Sequence, residues 1–81
     1  MMTYEETLAW IADIFEESKE NIYPELSRGE IATWDSLGTL TLLSRLDEDL
    51  DIRLSENEIS ELRKIQDIIE ILRRHNKIMD P

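Results

Sequence analysis

Cysteine is absent from this sequence, which excludes disulfides, a thiolate metal site and a cysteine nucleophile. Basic residues are scarce. Nine Lys and Arg stand against nineteen Asp and Glu, for a net charge of −10. Nucleic acid is therefore not an expected partner, because binding it rests on neutralising phosphates with Lys and Arg. Long apolar runs are missing too: no stretch approaches the ~18 residues of a membrane span. The N-terminus, Met-Met-Thr-Tyr-Glu-Glu, lacks the basic-then-apolar pattern of a signal peptide, so the chain reads as cytoplasmic. Internal repeats and low-complexity segments are also lacking.

What is present is an acidic chain of 81 residues, near the lower end of what folds without a staple. Its charge is uneven. Residues 1–60 hold fifteen acids and four bases, whereas residues 61–81 hold four acids and five bases. Partners are expected to be proteins with basic docking patches, steered in by long-range attraction.

Thr3-Tyr4-Glu5-Glu6 has the form of a capping box, a threonine followed three residues later by glutamate. Tyr4, Leu8, Ile11 and Phe15 then mark one apolar face, with Ala12 and Ile14 beside it, predicting a first helix over about 3–20. Residues 21–35 contain Pro24 and Gly29 and keep no helical period, so they form a long loop. Ile22, Leu26, Ile31 and Trp34 are placed to pin it to the core. Leucines at 37, 40, 43, 46 and 50, mostly three or four apart, predict a second helix over about 36–49. Ser55-Glu56-Asn57-Glu58 is another capping box and opens a short third helix over 56–62. A fourth, over 65–75, turns Ile65, Ile68, Ile69 and Leu72 inward. Arg73, Arg74, His75 and Lys77 lie at its C-terminal end, where cations offset the macrodipole. Met79-Asp80-Pro81 is expected to fray. The fold class is all-α: a four-helix bundle in a single domain over 1–81, with three longer helices, one short one and a long first loop.

Ser36 stands where the loop gives way to the second helix, in Trp34-Asp35-Ser36-Leu37-Gly38. A serine there sits among unpaired backbone N–H groups at the positive end of the macrodipole, an environment that suits a phosphate. It is equally the place of an ordinary N-cap. Tryptophans at such spacings serve the core more often than a cargo, which is the expectation for Trp10 and Trp34.

Asp35-Ser36-Leu37 at the head of the second helix of a small acidic helical chain resembles the acyl carrier proteins. The resemblance covers Thr3 to about His75 and is strongest from Trp34 to Leu54. It implies that the chain is not an enzyme and that Ser36 is an attachment point for 4′-phosphopantetheine. The terminal thiol of that group would hold an acyl or aminoacyl moiety as a thioester. The implied partners are a phosphopantetheinyl transferase using coenzyme A and Mg²⁺, an acyl- or aminoacyl-loading ligase, and downstream acyltransferases. By resemblance Asp35 helps the transferase dock, its plain alternative being a cap or a solvated carboxylate. Leu37 would contact partner enzymes beside the arm, and Asp47 and Glu48 would pair with their Arg and Lys. A monomer with no catalytic residue and no metal ligand is expected.

The chain departs from the fatty-acid-synthesis pattern in having Gly38 and Thr41 where that pattern has acids, and Arg45 where a small residue is usual; Asp47, Glu48 and Asp49 are kept. Ser36-Leu37-Gly38-Thr39 is closer to the D-alanyl and other stand-alone carriers, which points to a dedicated carrier of a specialised pathway. Gly38 costs up to about 1 kcal/mol in a helix relative to alanine, which calls for a reason such as close approach of a partner or of the arm. Leu42 and Leu46 either line a pocket for an acyl chain or simply pack the core.

Three readings from other classes stand beside this one. Residues 47–58 place acids at positions 1, 3, 5 and 12 of an EF-hand loop, although the sixth position, glycine in that motif, is Ile52. A Ser/His/Asp hydrolase using Ser36 and His75 lacks the Gly-x-Ser-x-Gly elbow. A protein-interaction module would leave Ser36 as a helix cap. Whatever the function, self-repulsion among the acids weakens the fold at low salt. The melting temperature is expected to rise from low to physiological salt and with divalent cations; equal midpoints in thermal melts at the two ionic strengths contradict this.

Overall fold

Local capping chemistry sets where the helices begin. A computed structural model of the chain describes residues 1–79. In α1, Tyr4–Ile14, the Thr3 side chain accepts from Glu6 N–H while Glu6 accepts from Thr3 N–H. In α3, Glu56–Ser60, Ser55 and Glu58 make the same reciprocal pair. Helix α2 spans Ser36–Leu50 and α4 spans Ile65–Arg74. Two 3-10 turns, Lys19–Asn21 and Arg28–Glu30, lie in the long loop. Among the described residues there are these four α-helices and no strand, an all-α fold. No helix among them is long and apolar enough to cross a membrane.

Helix α1 stops six residues short of the expected 20. Phe15 is fully buried, and Glu16 turns into the left-handed region at φ 56°. Glu17 N–H then reaches back to Ala12 O and Glu16 N–H to Asp13 O, the pattern that closes a helix. Asp51 (φ 55°) ends α2 and Asn76 (φ 57°) ends α4 in the same conformation. With just two glycines in the chain, non-glycine residues take the role that glycine usually fills, and the usual stop signal is missing from the sequence. Helix α3 likewise ends at Ser60 instead of 62, with Leu62 folded under as a buried core residue.

The core forms between the inner faces of α1, α2 and α4 and the underside of the loop. Ile22, Leu26, Ile31 and Trp34 are all buried, as their spacing implied. Each such side chain contributes about 1.5–3 kcal/mol of burial. Backbone bonds fasten the loop to the α3–α4 junction: Arg28 N–H to Arg63 O, Ile65 N–H to Leu26 O, and Gln66 N–H to Pro24 O. The leucine stripe of α2 is split between faces, with Leu46 in the core and Leu50 packed against it. Gly38, Leu42 and Leu46 are buried, four residues apart, whereas Leu37 and Leu40 are 72% and 62% exposed. Leu42 and Leu46 belong to the core cluster. Met79 does not fray, because its N–H donates to Met2 O while Met2 N–H donates to Lys77 O. Asp80 and Pro81, also expected to fray, lie outside the described residues.

Gly38 has an intramolecular reason. A Cβ there would lie 2.0 Å from Thr33 O and 3.0 Å from Thr33 C. Both are backbone atoms, so relief requires the loop to lift. The expected result for Gly38→Ala is a loss of about 1–3 kcal/mol despite alanine's better helix propensity. That corresponds to a fall in melting temperature of roughly 4–8 °C per kcal/mol. An unchanged or raised melting temperature would show that the loop yields without cost.

Candidate functional site

The head of α2 is built by the residues just before it. Trp34 is buried with its ring 5.0 Å from that of Phe15, stacked at an interplanar angle of 30°. Thr33 Oγ1 donates to Phe15 O at 2.6 Å. Arg28 straps the outside: Nε donates to Trp34 O at 3.4 Å, Nη2 donates to Thr39 Oγ1 at 3.2 Å, and the guanidinium lies 6.0 Å from the Trp34 ring centroid. Sequence reasoning overlooked Arg28, since nothing in a lone loop arginine marks its partners. Trp34 is a core residue. Trp10 is half-buried and hydrogen-bonded at the surface.

Asp35 is the N-cap of α2. Its Oδ1 accepts from Gly38 N–H at 3.0 Å, and its carbonyl takes the first helical bond from Thr39 N–H. Ser36 is therefore the first helical residue and not the cap, which removes the ordinary-cap reading of its hydroxyl. It is exposed, and its side chain has no hydrogen-bond partner among the described residues. Leu37 stands out beside it.

Farther along α2, Arg45 bonds Asp49 at 2.8 Å and Asp13 of α1 at 2.9 Å, with its guanidinium 6.0 Å from the Trp10 ring centroid. Trp10 Nε1 donates to the same Asp49 oxygen at 2.9 Å. That indole N–H, and then the Arg45 guanidinium, hold the Asp49 carboxyl below the usual aspartate range. Arg45, odd by the family pattern, is thus a clamp between α1 and α2. Asp47 pairs with Arg53 at 3.3 Å, and Glu48 is exposed.

The EF-hand alternative does not survive this geometry. Asp47, Glu48, Asp49 and Leu50 are still helical, the left-handed turn falls at Asp51, and Ile52 is buried. Glu58 accepts from the Ser55 backbone as part of a cap. The hydrolase reading fares no better. His75 is an exposed C-cap of α4, with no hydrogen bond to Ser36 among the described residues.

The fold and this helix head define a class: small acidic helical bundles whose second helix opens on an exposed serine hydroxyl. The chain is 34% identical over 80 residues to a protein named acyl carrier protein from Syntrophus aciditrophicus (strain SB), covering 98% of this chain and all of that one. It is 28% identical over 74 residues to an acyl carrier protein from Thermosynechococcus vestitus (strain NIES-2133 / IAM M-273 / BP-1), covering 91% of this chain and 89% of the relative. No family model matches the chain, and no solved structure matches it. The chain belongs to the acyl carrier protein family, and its role is that of a carrier protein.

Because Asp35 does the capping, the two neighbours separate cleanly by mutation. Asp35→Ala is expected to cost about 0.5–2 kcal/mol of stability, whereas Ser36→Ala leaves the melting temperature within about 1 °C of the parent. A Ser36→Ala loss equal to that of Asp35→Ala in thermal melts contradicts this assignment.

Proposed function

We propose that this chain holds an acyl or aminoacyl group on 4′-phosphopantetheine attached to Ser36 and delivers it to the enzymes of a dedicated pathway. The observation that carries the reading is the exposed, unbonded Ser36 hydroxyl in the first turn of a fifteen-residue helix whose cap is another residue. The residues at this helix head fit such a group. The backbone N–H groups of the first turn and the macrodipole favour an anionic phosphodiester there by about 0.3–1 kcal/mol. When bound, the group supplies a terminal thiol on which the cargo is held as a thioester.

Attachment would proceed at the Ser36 oxygen. That oxygen bonds to the coenzyme A phosphorus bearing the pantetheine, the P–O bond to the other phosphate breaks, and 3′,5′-adenosine bisphosphate leaves. The serine proton passes to a base of the transferase, which with Mg²⁺ supplies the chemistry. The chain itself needs no catalytic residue, and none of its groups acts on the cargo. Leu37 would meet the partner beside the arm. Asp35 would add its carboxylate to transferase docking, and Asp47 and Glu48 would face partner cations at the far end of α2. Gly38-Thr39 after the serine, with uncharged Thr41, supports service outside general fatty-acid synthesis. We place this work in the cytoplasm, by a monomer.

Incubation with coenzyme A, Mg²⁺ and a broad-specificity phosphopantetheinyl transferase is expected to add one phosphopantetheine, read by intact mass, and none to Ser36→Ala. Equal gain in the variant, or no gain by the parent with several transferases, overturns the reading.

A further inference from the structure

A groove of ≈ 310 Å³ runs beside Ser36, between the end of α1, the 31–35 loop and the first turns of α2. Its walls are Ile14, Glu16, Ala32, Thr33, Leu37 and Thr41, closed at the helix head by Asp35 and Gly38. The two positions at which α2 lacks the acids of the fatty-acid-synthesis pattern, Gly38 and Thr41, both line it. Gly38 lets the Thr33 carbonyl settle on the helix, which shapes one wall. Thr41 Oγ1 donates to Leu37 O and Thr33 Oγ1 to Phe15 O, so neither hydroxyl presents an unmet donor, and Ile14, Ala32 and Leu37 supply the apolar part of the walls. The polar groups at the rim are the carboxylates of Glu16 and Asp35, which are hydrogen-bond acceptors, and no cation lines the groove. A ligand suited to it is neutral, compact, branched and apolar, with hydroxyl or amide donors at its edge.

We propose that this groove seats the proximal, pantoyl segment of the phosphopantetheine arm. This rests on the reading that Ser36 carries the arm. The segment next to the phosphate has a quaternary carbon with two methyl groups, followed by a hydroxyl and an amide N–H. Its methyls match the Ile14, Ala32 and Leu37 walls, and its donors match the carboxylates of Glu16 and Asp35. The phosphate stays outside the acidic groove, at the helix head. The tether selects the occupant, because a groove lined by residues 35, 37, 38 and 41 lies within the first few bonds of the arm on Ser36. The volume stands at the lower end of small-molecule sites, about 300–1,000 Å³, which suits one branched segment. Seating it there would fix the direction in which the rest of the arm leaves the protein.

The test is NMR on the protein carrying phosphopantetheine, with attachment checked by intact mass. In the parent, nuclear Overhauser contacts are expected from the geminal methyl protons to the side chains of Ala32 and Leu37, with amide shift changes concentrated in residues 14–16 and 31–41. Thr41→Phe, which fills the groove, is expected to retain the arm by mass yet lose the methyl contact to Ala32. Methyl resonances at the positions of free phosphopantetheine, without contact to Ala32 or Leu37 in the modified parent, overturn the proposal while leaving the carrier reading intact. That parent measurement decides the matter even if Thr41→Phe does not fold. A retained Ala32 contact in a folded, modified Thr41→Phe also overturns it. A parent that takes up no phosphopantetheine overturns the carrier reading and this proposal together.

Discussion

The contact on which the site depends is between two backbones: the Thr33 carbonyl occupies the place where a Cβ of residue 38 would be. That approach brings the end of the loop down onto α2, and the neighbouring residues follow. Thr33 reaches Phe15 O with its hydroxyl, tying the loop to the end of α1. Trp34 is pressed into the core against the Phe15 ring. Asp35 arrives in extended backbone with its carboxylate under Gly38 N–H, which starts the helix. Ser36 comes next and has no structural task left to perform. Arg28 holds the arrangement from outside through Trp34 O and Thr39 Oγ1. A glycine that looks wasteful in a helix is the condition for everything around it.

How much of this the sequence discloses depends on the range of the interaction. Thr3 with Glu6 and Ser55 with Glu58 are reciprocal bonds over three residues, and both are readable as strings. Ile22, Leu26, Ile31 and Trp34 are readable because an apolar side chain in an otherwise polar loop has few other places to go. The end of α1 is not readable. Phe15 continues the apolar period, and only its burial, with Glu16 driven to positive φ, stops the helix. The leucines of α2 disclose the helix but not its inner face, for a related reason. Spacing gives a periodicity, but which of two overlapping stripes faces inward is set by the approach of the loop at Gly38. That contact spans five residues through a carbonyl with no identity of its own. The same holds for the cap: Asp35 and Ser36 are both good N-caps, and tertiary placement decides between them.

Electrostatics divides α2 into unlike halves. Arg45 draws Asp49 and Asp13 together, Trp10 adds an N–H to Asp49, and α1 and α2 are joined near the far end of the helix. Each exposed ion pair contributes little alone, but a shared guanidinium, a carboxylate and an indole form a network in which each group orients the next. The network engages Asp49 within the fold, and Arg53 engages Asp47 in the same way. Between Ser36 and Ser44 the helix carries no charged side chain. Beside Ser36 stand the exposed Asp35, Leu37 and Leu40, and the acids of the helix itself begin beyond Arg45, at Asp47, Glu48 and Asp49.

The contrast between Ser36 and an enzymic nucleophile follows from this architecture. A catalytic serine must be held, with a base within hydrogen-bond reach and a third group orienting that base. Holding it makes the serine part of the fold. Ser36 is placed by its backbone alone: Asp35 caps, Gly38 packs, Trp34 anchors, and the hydroxyl points outward without a partner among the described residues. Under the proposed reading, that independence is what a carrier requires. A group added to Ser36 would break no internal side-chain bond and cost no core contact. Its position on the first turn would fix where the added group begins, and in the proposed seating the groove beside it would direct how that group leaves.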